Sequence, residues 1–396
     1  MEIGQKKLTH EQREKLQKAA SEKGFDNYLE YLLYLHKEYG EYSEKRQNLA
    51  GQEIIDQEDK LETFFETEKG KIYHGDSSFL MSDVLQEKSI DLIMTSPPFA
   101  LVRKKDYGNE DADRYLEWFK KFSRGFRKIL KDSGSLVIDI GGAWKKGKPT
   151  RSLYHFELLI MLCREYGFHL IQEFFWWNPS KLPSPAEWVN VRRIRVKDAV
   201  NCVWWLSKTP YPKASNKRVL SPYSGSMKKL LKDGYKAKLR PSGHDISTKF
   251  QKDNRGAIPP NLLAIANTES NSSYQRYCRK NGYIEHPARF PSRLPAYFIK
   301  MLTDSGDIVF DPFGGSCVTG AVAESMGRNW ICCELDKDYI QGAIGRFENL
   351  NDTLDLIEAS PEKPYEIFPP TFGLFTEKES PLAKDGGKKR PKKGEM

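Results

Sequence analysis

No apolar run in the sequence approaches the roughly 20 residues that a membrane-spanning helix requires, so a membrane protein is not expected. The opening residues, Met-Glu-Ile-Gly-Gln-Lys-Lys, are polar and carry no apolar stretch of the secretory type. The six cysteines among the 396 residues, at 163, 202, 278, 317, 332 and 333, form no Cys-x-x-Cys pair. Structural zinc and a disulfide framework are therefore not expected, and the chain reads as cytoplasmic. Also missing are an internal repeat and the G-x-G-x-x-G fingerprint of a pyrophosphate-bearing dinucleotide. Packing material is plentiful. Apolar residues make up 39% and aromatics 12%, too much for a disordered chain and enough for one large domain or two ordinary ones.

The net charge of +9 is unevenly spread. Between Lys208 and Arg255 thirteen Lys and Arg residues stand against three Asp residues, a local +10, so the rest of the chain is close to neutral. Such a cluster is either a solvated loop or the electrostatic footprint of a phosphate backbone. Its middle holds the candidate phosphate contacts Lys228, Lys229, Lys232, Lys236, Lys238 and Arg240.

Residues 1–66 read as helices. Thr9 and Gln12 have capping-box spacing, and Leu29, Leu32, Leu33 and Leu35 recur near helical period behind Asp26. No chemical site is visible there; dimerisation, a brace on the main domain or an accessory DNA contact all fit. From Lys71 short apolar runs alternate with helical stretches. Segments 90–94, 135–140 and 308–310 predict buried strands, with helices over 115–130 and 153–166, which together predict an α/β domain on a largely parallel sheet. The alternation breaks over 208–285, resumes near Pro291 and ends near Leu350. The expected organisation is a helical extension (1–66) and two halves of one α/β domain (67–207 and 286–352) around an inserted region (208–285). A C-terminal extension (353–396) follows, whose Lys-, Gly- and Pro-rich tail has the composition of disorder.

Two stretches carry chemistry. Asp307-Ile-Val-Phe-Asp-Pro-Phe-Gly-Gly-Ser-Cys-Val-Thr-Gly320 is an apolar strand entering a glycine-rich turn and then a helix, the place where open α/β sheets hold ligands. Asn329-Trp-Ile-Cys-Cys-Glu334 predicts the next strand, ending in a carboxylate 19 positions after Gly315, where a ribose-binding acid belongs. Glycines at 314, 315 and 320 suit a nucleoside without a pyrophosphate. Asp311, Phe313, Gly314, Gly315, Ser316 and Glu334 are the candidate ligand residues of this loop; any strand, Gly-Gly turn and helix is the plainer alternative. The other stretch, Asp91-Leu-Ile-Met-Thr-Ser-Pro-Pro-Phe99, is a strand stopped by two prolines, which remove backbone donors and fix the following carbonyls. Ser96, Pro97, Pro98 and Phe99 then make a rigid turn with a hydroxyl, carbonyls and a ring. That suits a planar base bearing an amino group; an ordinary Pro-Pro loop over a buried Phe is the alternative.

Taken together and in this order, the two motifs resemble the amino-methylating DNA methyltransferases that use S-adenosyl-L-methionine. The match is to the permuted group whose catalytic motif precedes the cofactor loop, and within it to the PvuII-type cytosine-N4 enzymes. The resemblance spans roughly residues 70–350 and takes in Gly75-Asp76, Asn267-Thr-Glu-Ser-Asn271 with Tyr274, and His286-Pro-Ala-Arg-Phe-Pro291. It implies a doubly wound, mostly parallel, seven-stranded α/β methyltransferase sheet, circularly permuted, with target recognition in 208–285. It also implies S-adenosyl-L-methionine as cofactor, no metal, and double-stranded DNA as partner. Asp76, His286 and Pro287 join the loop residues as cofactor contacts. Ser96, Pro97, Pro98 and Phe99 become catalytic: the Ser96 hydroxyl and Pro97 carbonyl accept the amine protons, and Phe99 stacks on a flipped base. In this family Ser-Pro-Pro-Phe goes with cytosine N4; adenine N6 is the alternative. Cytosine C5 methylation is not expected, because no cysteine follows a proline. Trp176 and Trp177 fall where the family borders its base pocket, and adjacent strand residues point to opposite faces, so only one can line it while the other is expected in the core. Cys332 and Cys333 are expected to be buried. The biological setting implied is a restriction–modification system of the bacterial or archaeal cytoplasm, with a cognate restriction endonuclease and a monomeric or homodimeric enzyme on nucleoid DNA. Two other classes compete: a nucleic-acid-binding protein with an inactive methyltransferase fold, disfavoured by the intact motifs, and an NAD-dependent oxidoreductase, disfavoured by the loop spacing.

Overall fold

A computed structural model of the chain describes residues 14, 17, 18, 20, 21, 61–100, 112, 114–234, 252–269 and 271–358. The chain divides into two units, Met1–Glu62 and Thr63–Met396. In the first, the described residues between Glu14 and Ser21 are helical, as expected there. The capping box at Thr9 and Gln12, the leucines from 29 to 35 and the tail beyond 358 lie outside the described residues.

Among the described residues nine strands form one sheet: β1 (Glu62–Glu66), β2 (Gly70–His74), β3 (Ile90–Thr95), β4 (Leu130–Ile140), β5 (His169–Trp177), β6 (Val200–Ser207), β7 (Leu262–Ala264), β8 (Ile308–Asp311) and β9 (Asn329–Glu334). Their order is β1-β2-β9-β8-β3-β4-β6-β5-β7. From β2 to β4 neighbours run parallel. β6 is antiparallel to both β4 and β5, and β7 joins β5 in parallel. The expected seven-stranded sheet is thus the run from β2 to β5, with β1 and β7 added at its edges. The main helices, in chain order, are α1 (Tyr115–Ile129), α2 (Tyr154–Arg164), α3 (Gly225–Asp233), α4 (Ser273–Asn281), α5 (Arg293–Leu302), α6 (Val318–Ser325), α7 (Lys337–Ala343) and α8 (Leu350–Glu358).

The central position of β3 follows from its composition: all six residues are buried, as in a strand covered on both faces. β3 and β8 lie side by side, Leu92 opposite Val309 and Ile93 opposite Phe310. The chain nevertheless leaves β3 towards β4 and β8 towards β9. Right-handed crossovers in opposite directions place α1 and α6 on opposite faces, which is the doubly wound arrangement. On α1 the buried residues Tyr115, Phe119, Phe122, Phe126 and Ile129 recur every three or four positions and form one apolar stripe. The other face is closed by Leu294, Phe298 and Ile299 of α5 and Val318 and Val322 of α6, packed on Leu92, Met94 and Val309. Trp330 of β9 stacks on Phe347 at 4.7 Å between ring centroids.

The strands predicted at 90–94, 308–310 and 329–334 and the helices at 115–130 and 153–166 are present with ends shifted by two residues at most. β4 starts earlier than expected, at Leu130, with an irregular register between Ile90 and Leu92. Two features differ from the reading of 208–285 as one polar stretch. β7 takes a place in the sheet. Lys208 pairs with Asp132, Lys213 with Asp304 and Asp307, and Arg218 with Asp304, so part of the local +10 is neutralised where it stands. Among the described residues no helix is long and apolar enough to cross a membrane.

Candidate active site

At the switch point the carboxyl ends of β3 and β8 open into one cleft of ≈ 660 Å³. Ser96, Pro97, Pro98 and Phe99 line it from the β3 side and Phe313, Gly314, Gly315 and Ser316 from the β8 side, with Asp76, His286 and Glu334 completing the wall. The fold therefore joins the two motifs that lie far apart in sequence. Beneath them Asp311, 1% exposed, accepts hydrogen bonds from Thr95 Oγ1 and Thr319 Oγ1 at 2.7 Å each and from the Phe313 amide at 3.2 Å. Burial raises its pKa to about 6 against those bonds. Asp311 is thus a bolt between β3, β8 and α6, while the residues that line the cleft lie on either side of it.

The β8 side is a cradle. Gly315 has a φ of +50°, and a Cβ there would meet the His286 ring at 3.2 Å, so only glycine leaves the space open. Glu334 Oε2 accepts from the Gly315 amide at 2.7 Å, and Oε1 accepts from the amides of Leu335 and Asp336 at 2.9 and 3.0 Å. Burial raises its pKa against these bonds, and Oε2, which accepts only one of them, keeps acceptor capacity for a ligand hydroxyl. Asp76 accepts from the Ser78 amide and hydroxyl and pairs with Lys121 at 2.7 Å. Its burial would raise the pKa, but these partners outweigh it and hold the carboxyl below its ordinary value. The His286 ring lies edge-on to Tyr339, and burial lowers its pKa to about 4, so it is neutral at pH 7. Phe313 meets Phe122 at 4.8 Å and Trp118 at 5.9 Å, an aromatic wall supplied by α1.

The β3 side is a polar pocket with a ring. Ser96 Oγ donates to Asp139 Oδ2 at 3.1 Å, and Asn201 Nδ2 donates to Asp139 Oδ1 at 3.2 Å. Asp139 is 2% exposed, and burial raises its pKa to about 7 despite these two bonds. Lys181 lines the same cleft, and its burial lowers its pKa. Phe99 lies over Gly141, where a Cβ would come within 2.6 Å of the ring. Of the two tryptophans, Trp176 lines the cleft and is itself buried, donating from Nε1 to the Ile265 carbonyl at 2.9 Å. Trp177 is half-buried, which corrects its expected place in the core. Cys332 and Cys333 are buried.

Not every candidate converges here. Pro287 lines a separate small polar cavity with Glu269 and Arg346, while its neighbours His286 and Ala288 line the cleft. Lys228, Lys229 and Lys232 are exposed on α3 and make no ion pair among the described residues; Lys236, Lys238 and Arg240 lie outside them. Asp139, Asn201, Lys181 and Arg346 were not singled out from the sequence. Asp139 left a signal: a lone carboxylate in Leu-Val-Ile-Asp-Ile, just before Gly141-Gly142. Arg346, buried, donates from Nε to the Ser316 carbonyl at 2.6 Å and from Nη2 to Ser316 Oγ at 3.1 Å, and nothing in the sequence links it to that loop.

The family model described as DNA methylase matches residues 90–345. The chain is 53% identical over 290 residues to the type II methyltransferase M.PvuII of Proteus hauseri, covering 72% of this chain and 86% of that protein. It is 26% identical to the type II methyltransferase M.BamHI of Bacillus amyloliquefaciens, over 78% of this chain and 64% of the relative. The solved structure of the PvuII DNA methyltransferase, cytosine-N4-specific by name, superposes with a TM-score of 0.60 at 43% identity, covering 76% of this chain and 97% of that one. The chain belongs to the DNA methylase family of N6 and N4 amino-methyltransferases.

Proposed function

We propose that this enzyme transfers a methyl group from S-adenosyl-L-methionine to the N4 amine of a cytosine flipped out of duplex DNA. The observation that carries the reading is the shared cleft: the Ser96 turn, built for an amino-bearing base, opens onto the Gly315–Glu334 cradle, built for a nucleoside. The name of the solved relative, cytosine-N4-specific, supports the choice of base. A restriction–modification setting in the bacterial or archaeal cytoplasm, with an endonuclease of the same target, is supported by the type II names of the relatives.

The residues fit the cofactor. Glu334 Oε2 offers a lone pair to a ribose hydroxyl, the glycines admit close approach of the backbone, and the cleft volume is that of a small-molecule site. Bound there, S-adenosyl-L-methionine supplies an electrophilic sulfonium methyl group. Ser96 Oγ commits its own proton to Asp139, which turns its lone pairs outward to accept one amine proton. The Pro97 carbonyl accepts the second. Together they localise the nitrogen lone pair and stabilise the positive charge that develops on the amine, an interaction stronger in the transition state than in the ground state. As the nitrogen–carbon bond forms and the sulfur–carbon bond breaks, Ser96 relays the surplus proton to Asp139, whose pKa of about 7 suits a general base. Phe99 stacks on the base, and Asn201 holds the Asp139 carboxylate in place. Lys228, Lys229 and Lys232, with Lys236, Lys238 and Arg240, contact backbone phosphates. Incubation of the purified protein with S-adenosyl-L-methionine and unmethylated genomic DNA, followed by single-molecule sequencing, should show N4-methylcytosine in one sequence context. N6-methyladenine would replace the base assignment, and unmodified DNA would overturn the reading.

A further inference from the structure

The segment between β5 and β6, residues 178–199, forms a lip of the same cleft: Asn178, Lys181 and Ala199 line it. This lip carries an unusual concentration of exposed apolar side chains. Leu182 is 79% exposed, Val191 70%, Ile194 60% and Val196 84%. Lys197 Nζ donates to the Lys181 carbonyl at 3.0 Å and also reaches the Pro179 carbonyl, so the outgoing and returning limbs of the lip are tied together at 181 and 197. Leu182 and Val196 are the immediate chain neighbours of that tie, whose Lys181 lines the cleft beside the Ser96 turn. The rear of the lip is anchored: Arg195 donates to the Pro149 carbonyl at 2.9 Å and stacks over the Trp144 ring at 3.8 Å, and Arg151 and Arg195 both pair with Asp198. The segment holds five basic residues (Lys181, Arg192, Arg193, Arg195 and Lys197) against Glu187 and Asp198. Arg193, exposed, has no hydrogen bond or ion pair among the described residues.

An exposed apolar tip on an anchored, basic, cleft-side arm fits one occupant best. Removing a base from a duplex leaves an apolar gap between the flanking base pairs, bordered by phosphates, and apolar side chains are the groups that fill such gaps. A free solvent face has no need of Leu182 and Val196, and a protein partner of ordinary composition has no need of the surplus positive charge. We infer that the Leu182–Val196 tip enters the DNA stack at the position vacated by the flipped base, with Arg193 on a flanking phosphate. This inference rests on the proposed reaction on duplex DNA and adds a second DNA-contacting element to the basic region at 208–285. The tip holds the flipped state open while the target amine sits against Ser96.

The test compares two duplexes carrying the methylated site identified by sequencing, one fully paired and one with the target base mispaired. A mispaired base leaves the stack at less cost and needs less help from a filler. The double variant Leu182→Ser with Val196→Ser should lose roughly 10- to 100-fold in kcat/KM on the paired duplex and under about threefold on the mispaired one. Its affinity for S-adenosyl-L-methionine, measured by calorimetry, should equal wild type, which also reports that it folds. Arg193→Ala should lower the slope of log affinity against log salt by about 0.9. Equal losses on the two duplexes, or no loss on either, would overturn the inference. So would a concentration-dependent dimer in sedimentation that the double variant abolishes, since the tip would then be a face between two copies. Failure of the wild type to methylate either duplex would instead remove the underlying reaction, and the inference with it.

Discussion

Asp139→Asn isolates the proposed proton path. The substitution preserves shape and lets the side-chain oxygen still accept from Ser96 Oγ, while removing the group that takes up a proton. A positioned general base is worth about 10²–10⁴ in rate, and turnover at pH 8 should fall by a factor in that range. The wild type should also show an acid limb. With a pKa of about 7 the carboxylate goes from about one-tenth ionised at pH 6 to about nine-tenths at pH 8, so its rate rises roughly tenfold across that interval. In the variant that limb should be flat. Stability should move the other way. Burial raises the Asp139 pKa from 3.8 to about 7, so its proton is held more tightly in the folded than in the unfolded chain. The stability this group confers is fully present below pH 3.8, is lost as pH rises towards 7, and stays lost above it. The upper bound on that loss is on the order of 4 kcal/mol. Asp139→Asn should therefore melt at or above the wild-type temperature at pH 8 while being the slower enzyme. Single-turnover methylation across pH 5.5–9 and thermal melts at matched pH are the measurements. An Asp139→Asn enzyme that keeps the acid limb, or loses less than about threefold at pH 8, would refute the relay.

Ser96→Ala should lower turnover by about 10²–10³ and leave S-adenosyl-L-methionine affinity unchanged, since Ser96 faces the base side of the cleft; full activity would remove its role. Glu334→Ala should weaken cofactor binding by about 1.5–3 kcal/mol in calorimetry, the worth of hydrogen bonds to a charged group, and unchanged affinity would mean that the ribose lies elsewhere. Replacing Lys228, Lys229 and Lys232 together by alanine should weaken binding to cognate and unrelated duplexes alike and reduce the salt slope by up to about 2.7; an unchanged slope would leave these lysines as solvated surface.

Local chemistry made the two motif turns legible before any fold was known. Two prolines after an apolar strand end it wherever it lies, and a Gly-Gly turn marks the passage from strand to helix, so Ser96–Phe99 and Phe313–Ser316 were identifiable as turns, and their order together gave the resemblance. The strand at 90–94 was equally readable, because continuous burial leaves a nearly continuous apolar sequence, and the one at 329–334 was readable from its apolar centre, Trp330 to Cys333. Charge was less faithful. Lys213 and Arg218 counted as free cations in the composition, yet they neutralise Asp304 and Asp307, carboxylates some 90 positions along the chain.

Pairings over such distances are what only the tertiary structure decided. The sequence alone determined the Pro-Pro turn, the glycine-rich turn and the apolar strands beside them, since each depends on residues within a few positions of one another. It did not determine that Asp311 lies beneath the floor, nor that Asp139 is the partner of Ser96. A carboxylate becomes a bolt or a base according to what surrounds it, and here the surroundings come from strands brought together by sheet order. Burial removes water from Asp139 and raises its pKa, while Asn201 reaches it from β6, a neighbour fixed by antiparallel pairing. Spacing along a chain carries backbone periodicity and turn chemistry, but solvation and long-range contact are properties of the packed fold.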